Sequence, residues 1–164
     1  MPRATRTVLM LVALMLVPSV AHADLTGFLG ATTTPSTRRV QGAAIGAGLA
    51  IVAFEFEYAH TNEDLSVPEL APELHTFMFN GLLQTPFAIA GFQPYATLGG
   101  GVYHETLSVP AVSDTSFGTN VGGGAKINLA GPLRLRVDYR VFNFKGTPLH
   151  STVQRLYAGV NLKF

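Results

Sequence analysis

Leu133-Arg134-Leu135-Arg136-Val137-Asp138-Tyr139-Arg140-Val141 decides the fold. Every odd position is apolar or aromatic and every even one is charged. Period-two alternation over nine residues puts the two sets on opposite faces of a β-strand, because successive side chains of a strand point to opposite sides. The segment ending at Phe164 has the same pattern: Leu156, Ala158, Val160, Leu162 and Phe164 oppose Arg155, Tyr157, Gly159, Asn161 and Lys163. Upstream, Phe54, Phe56 and Tyr58 alternate with Glu55 and Glu57. Between Phe117 and Leu129, Val121, Ala125, Ile127 and Leu129 alternate with Asn120, Gly122, Gly124, Lys126 and Asn128. Weaker alternation over Leu25–Thr33, Gly42–Leu49, His75–Gln84 and Tyr95–Glu105 brings the expected number of strands to eight.

Composition agrees with a chain that spends its apolar residues on strands. Of 164 residues 48% are hydrophobic and only 13% charged, with 17 Gly, 10 Pro and a mean hydropathy of +0.30. So little charge argues against a disordered tail or a nucleic-acid binder. The uncharged apolar run Val8–Val17 falls well short of the roughly 20 residues a spanning helix needs. The absence of Cys excludes disulfides, thiol nucleophiles and thiolate metal sites.

That apolar run reads as an export signal. Arg3 and Arg6 precede it, Pro18 breaks it, and Ala21-His22-Ala23 offers small residues where a signal peptidase looks, so cleavage is expected after Ala23. Residues 1–23 are the expected signal and 24–164 the expected single domain. Removal of Arg3 and Arg6 leaves nine basic and ten acidic residues, which turns a formal charge of +1 into −1. The basicity belongs to the export signal, and no anionic partner is inferred from it.

The links between strands hold the topology. Thr34–Val40, Thr61–Leu74, Thr106–Ser116 and Lys145–Ser151 contain most of the Pro, Asp, Glu and Ser. The intervening links, near Gly48-Leu49-Ala50, at Thr85–Phe92 and at Ala130-Gly131-Pro132, are generally tighter. An even number of antiparallel strands with long loops at one end and short turns at the other is the layout of a transmembrane β-barrel. Strands of about ten residues tilted by roughly 40° give an apolar band of about 25 Å. Gly42–Phe54 also fits a buried helix, but Gly42, Gly46 and Gly48 on one side favour strands around a narrow lumen.

Alternation alone leaves open which face points outward, and a soluble barrel would bury the apolar side. The charged face here mixes glycine with mutually neutralising charges, and the apolar face carries Phe54, Phe56, Tyr58, Phe77, Phe79 and Tyr139, too much aromatic area to leave in water. Tyr157-Ala158-Gly159-Val160-Asn161-Leu162-Lys163-Phe164 resembles the C-terminal signal of bacterial outer-membrane barrels, with Gly159, Leu162 and the terminal aromatic Phe164 as its marked positions. With Pro94–Val102 and Gly122-Gly123-Gly124, the segment 24–164 resembles small barrels of the OmpA/OmpX type over its whole length. The resemblance implies an all-β, eight-stranded antiparallel barrel in the outer membrane, surrounded by its lipid and delivered by the barrel assembly machinery through the last strand. Because the chain stops at Phe164, no cell-wall-anchoring role is carried over.

Barrels of this size are just wide enough to be filled by side chains. The expected lumen sets Glu55, Glu57 and Asp138 against Lys126, Arg134, Arg136, Arg140, Arg155 and Lys163, with Glu55 and Glu57 facing Arg136 and Arg140 across the barrel. Paired charges filling a closed barrel are the leading reading, and an anion-preferring pore using the surplus positive charge is the alternative. A lipid-modifying enzyme requires a Ser/His constellation near the outer rim. His60, His75, His104 and His150 lie at expected extracellular strand ends, but the adjacent His150 and Ser151 point to opposite faces, so the chain is read as non-enzymatic. The same histidines with Glu63, Asp64, Glu73 or Glu105 have metal-ligand types without diagnostic spacing. No cofactor motif is present, no metal or nucleic acid is expected, and any extracellular ligand would be met by the loops.

Overall fold

The computed structural model describes residues 21–49 and 51–164. The first twenty residues, which hold most of the expected export signal, lie outside the described residues, as does Ala50. The rest forms eight strands: β1 (Ala21–Thr32), β2 (Arg38–Leu49), β3 (Val52–Thr61), β4 (Glu73–Gln84), β5 (Phe92–Leu107), β6 (Val112–Ala130), β7 (Leu133–Phe144) and β8 (Thr152–Lys163). Each pairs antiparallel with its neighbours, and β8 closes on β1, Leu162 opposite Leu25. Closure satisfies every strand edge, the condition for a sheet to sit in hydrocarbon.

Burial follows the period-two pattern with its sense inverted relative to a soluble protein. Along β7, Arg134, Arg136, Asp138 and Arg140 are buried, while Leu133, Val137 and Tyr139 are exposed. In β3, Glu55 and Glu57 are buried and Phe54, Phe56 and Tyr58 lie on the outside, with Phe56 65% exposed. Leu29, Ile45, Phe77, Leu98, Val121 and Val160 continue this outer surface around the barrel. Apolar outside and charged inside suits lipid as the surrounding solvent. The region Gly42–Phe54 is two strands joined at residues 50–51, with Gly42, Gly46 and Gly48 turned inward and Ile45 and Leu49 outward.

Several strands begin earlier than the sequence reading placed them, β2 at Arg38 within the expected link Thr34–Val40 among them, and two differences bear on the site. The link expected at Thr106–Ser116 is confined to residues 108–111, and β5 and β6 instead run on as a paired hairpin up to Leu107 opposite Val112. Ser108, Pro110, Ser113 and Asp114 resemble a loop in composition, but outward Thr106 and Ser113 tolerate water and leave the ladder intact. At the other end β1 starts at Ala21 and not at Leu25, with His22 opposite Gly48 and Ala23 opposite Ala47.

Candidate functional site: the lumen charge network

The barrel places β3 across from β7, and charged residues of both meet in the lumen. Arg136 and Arg140, each 0% exposed, bracket Glu55: Arg136 bonds both oxygens, and Arg140 Nη2 lies 3.1 Å from Oε1. Asp138 sits between the same two arginines, 3.1 Å from Arg136 Nη2 and 2.9 Å from Arg140 Nε. One level toward the far end, Glu57 forms an ion pair with Arg140 Nη1 at 3.1 Å and accepts from Arg155 Nη1 at 3.3 Å. Tyrosines bind the levels together. Tyr157 donates to Glu57 Oε2 and accepts from Arg140 Nη2, both at 3.1 Å. Tyr95 donates to Asp138 and accepts from Arg136 Nε at 2.8 Å. These are charge-assisted bonds in a space almost free of solvent exposure, where an unpaired ion is costly.

At the end of the barrel that holds the chain termini, Asp24 takes Lys126 Nζ at 2.7 Å and Arg134 Nη2 at 3.2 Å. Arg134 also reaches Asn161 Oδ1 at 2.7 Å. Lys163, placed in the lumen by the sequence reading, is only partly buried and stands at this mouth. There it borders a cavity of about 340 Å³ with Gln93, Arg134 and Pro132. The expected excess of positive charge therefore shrinks. In the paired network Lys126, Arg134, Arg136, Arg140 and Arg155 face Asp24, Glu55, Glu57 and Asp138, a surplus of one, and the buried Arg38 and Glu105 add one charge of each sign.

Asp24 was missed because it adjoins the expected cleavage site. The signal lay in parity: Asp24, Thr26 and Phe28 share one side of β1, and Thr26 and Phe28 are buried. Missed too was the opposite half of the lumen, where Leu74, Met78, Tyr103, Phe142, Phe144 and Val153 form a buried apolar cluster. Phe142 and Phe144 continue the inward phase of Arg134 through Arg140. Arg155 joins the two layers, its guanidinium 4.4 Å from the Phe142 ring centroid. Two glycines make room for these contacts. A side chain at Gly99 would run into the Asn80 amide, which accepts from Asn120 Nδ2 at 2.9 Å over the intervening strand β5. A Cβ at Gly159 would meet that of Phe28 at 2.7 Å, and Phe28 stacks on Tyr157 at 4.1 Å.

Of the remaining marked positions, Leu162 and Phe164 face outward, and Phe164 exchanges two backbone hydrogen bonds of 2.9 Å with Ala23. The rim histidines are all engaged by neighbouring side chains or backbone. His60 and His75 contact Glu73, His104 lies between Thr106 and Thr115, and His150 donates to the Leu70 carbonyl at 2.7 Å.

Residues 26–164 match the family described as the outer membrane protein beta-barrel domain. The chain belongs to that family. It is accordingly an outer-membrane β-barrel, which makes the termini and short turns the periplasmic end and the apolar cluster the extracellular half. No curated protein matches the chain significantly. Solved structures share its fold at low identity. The N-terminal barrel domain of Pseudomonas aeruginosa OprF is 15% identical with a TM-score of 0.67, over 87% of this chain and 97% of that one. Neisserial surface protein A is 19% identical with a TM-score of 0.57, over 88% and 96%. The outer membrane enzyme PagL is 13% identical with a TM-score of 0.53, over 85% and 98%. The fold thus hosts different roles, and function has to be argued from the site.

Proposed function

We propose that the protein is a closed, non-enzymatic barrel of the outer membrane, whose lumen serves as a structural plug and whose dealings with its surroundings belong to its outer wall and extracellular rim. The observation that carries this reading is the continuity of the filling. Charges joined by Tyr95 and Tyr157 occupy the middle, and Leu74, Met78, Phe142 and Phe144 seal the extracellular half. A conducting path needs a connected water column, and the near-complete burial of the lumen side chains in both layers argues against one. The near balance of charge also weakens the case for an anion pore, which would profit from an uncompensated cationic surface.

The non-enzymatic reading draws on the same geometry. The rings of His104 and His150 are engaged by threonine hydroxyls and a backbone carbonyl, in contacts that hold strands and loops in place. Gly159, Leu162 and Phe164 supply a β8 edge for the assembly machinery before β1 pairs with it. Cleavage after Ala23 removes the first three residues of β1, with the backbone that Phe164 bonds, and leaves Asp24 in place to neutralise Lys126 and Arg134. Any extracellular ligand would meet the loops.

Planar-bilayer recording on the refolded full barrel tests the proposal. The expected result is electrical silence, both in the native protein and in a Phe142→Ala variant whose charge layer is intact. Steady anion-selective openings in the native protein would replace the plug with a pore.

A further inference from the structure

Outside the lumen, the wall carries a second cluster of functional side chains. The register sets His60 of β3 beside His75 of β4, and His75 beside His104 of β5, all on the lipid-facing side at the extracellular ends of their strands. Just below them Tyr58 and Phe77 pack at 4.8 Å. The His60 and His75 rings stack at 4.6 Å and 19°. Both Nε2 atoms converge on a single oxygen of Glu73, at 2.8 and 3.1 Å. Ligating atoms of the three residues all lie within 4.8 Å of one another.

We propose that His60, Glu73 and His75 form a binding site for a divalent transition-metal cation, with Zn²⁺ as the best fit. Two imidazoles and one carboxylate are a borderline-soft donor set, which suits Zn²⁺ and its neighbours and not Mg²⁺ or Ca²⁺, whose preferred ligands are all oxygens. Ligands at about 2.1 Å around a tetrahedral ion stand about 3.4 Å apart. The two observed nitrogen-to-oxygen separations are slightly below that edge, so the cation enters by spreading the side chains a few tenths of an ångström. The side chains retain 22 to 40% exposure, which leaves an approach for the ion and a fourth position for water.

The proton balance closes within the site. Tyr58 Oη lies 2.9 Å from His75 Nδ1. With no cation, Tyr58 donates to that nitrogen and the Nε2–H of His75 donates to Glu73. When a cation takes the Nε2 lone pair, the ring proton resides on Nδ1 and Tyr58 becomes the acceptor. Tyr58 is thus a positioning residue that fixes the tautomer and plane of a ligand ring, a role outer partners commonly fill at metal-bound histidines. His104 is excluded from the set, because Thr115 Oγ1 at 2.6 Å and Thr106 Oγ1 at 3.1 Å engage its two nitrogens and its ring stands 6.4 Å from that of His75.

The test is calorimetric titration of the untagged, refolded barrel with ZnCl₂, with MgCl₂ as control, together with Cu²⁺ paramagnetic resonance to count nitrogen ligands. One Zn²⁺ per barrel, no response to Mg²⁺ and a two-nitrogen copper spectrum are expected. Tyr58→Phe should weaken Zn²⁺ about tenfold. His60→Ala, His75→Ala and Glu73→Gln should weaken it more, and His104→Ala should leave it unchanged. Retained fast gel mobility before boiling establishes that each variant is folded. No Zn²⁺ uptake by the folded native barrel, or uptake unaltered in a folded His60→Ala/His75→Ala variant, overturns the assignment.

Discussion

Glu55 and Arg136 are the pair on which the account of the lumen can be tested hardest. Arg136 bonds both oxygens of Glu55 and also touches Asp138 and Tyr95, at 0% exposure. Glu55→Gln raises the local cationic surplus from one to two in a space with little water. Removal of one partner from a buried pair costs about 3–5 kcal/mol. Arg136→Gln moves the balance toward neutrality and leaves Glu55 with Arg140, so its loss is that of charge-assisted bonds, about 1.5–3 kcal/mol. The glutamate variant should therefore be the less stable of the two. Coupling in the double-mutant cycle should fall on the order of 1–3 kcal/mol. Glu57 and Arg136 share no bond but both neighbour Tyr157, so a cycle on that second pair should give a smaller value. Urea-dependent unfolding in phospholipid vesicles measures both, with circular dichroism at the strand band and gel mobility as readouts, since the chain contains no Trp. A Glu55–Arg136 coupling within error of zero, or a greater loss for Arg136→Gln than for Glu55→Gln, would refute the reasoning.

Three further outcomes are expected. The native barrel should migrate faster on SDS gels before boiling than after, as a closed ladder of backbone bonds resists detergent; identical mobility in the two samples would contradict the closure of β1 on β8. Phe164→Asp should lower outer-membrane levels far more than Ala111→Asp in the 108–111 turn, with quantitative blotting of membrane fractions as the check. Gly159→Leu should destabilise the barrel by about 1–3 kcal/mol by driving into Phe28 and breaking its stack on Tyr157, which vesicle unfolding reads directly.

Legibility in the sequence followed the strength of parity at each residue. In β7, four charges at alternating positions leave one interpretation, and Arg134, Arg136, Asp138 and Arg140 all prove to be buried. Phe142 and Phe144 occupy the same phase but are apolar, so an expectation of polar side chains inside hid them while simple counting by two would have found them. β2 was marked by glycine parity alone. Asp24 lay hidden where strand and cleavage site adjoin. Strand number in a closed barrel tells which strands face each other, but the stagger between them is a three-dimensional quantity. That is why the sequence set Glu55 and Glu57 against Arg136 and Arg140 without resolving that Glu55 takes both Arg136 and Arg140, or that Arg155 supplies the second partner of Glu57.

The arrangement of the lumen follows from the inversion of the fold. Lipid on the outside is as apolar as the residues it touches, so burial of Phe54, Phe77 or Leu98 in the bilayer does nothing to hold one side of the barrel to the other. Cohesion across the interior has to come from the lumen itself. Direction-specific bonds from Arg136 and Arg140 of β7 and Arg155 of β8 to Glu55 and Glu57 of β3 tie separate parts of the wall together, and Tyr95 and Tyr157 add bonds to Asp138 and Glu57. The apolar cluster above them keeps water away from the extracellular side, which strengthens each of those bonds by lowering the local dielectric. Opening the interior for transport would dismantle both layers at once. On the closed-barrel reading proposed above, the chemistry open to partners is at the surface, where His60, Glu73 and His75 stand in reach of solvent on the outer face of the wall.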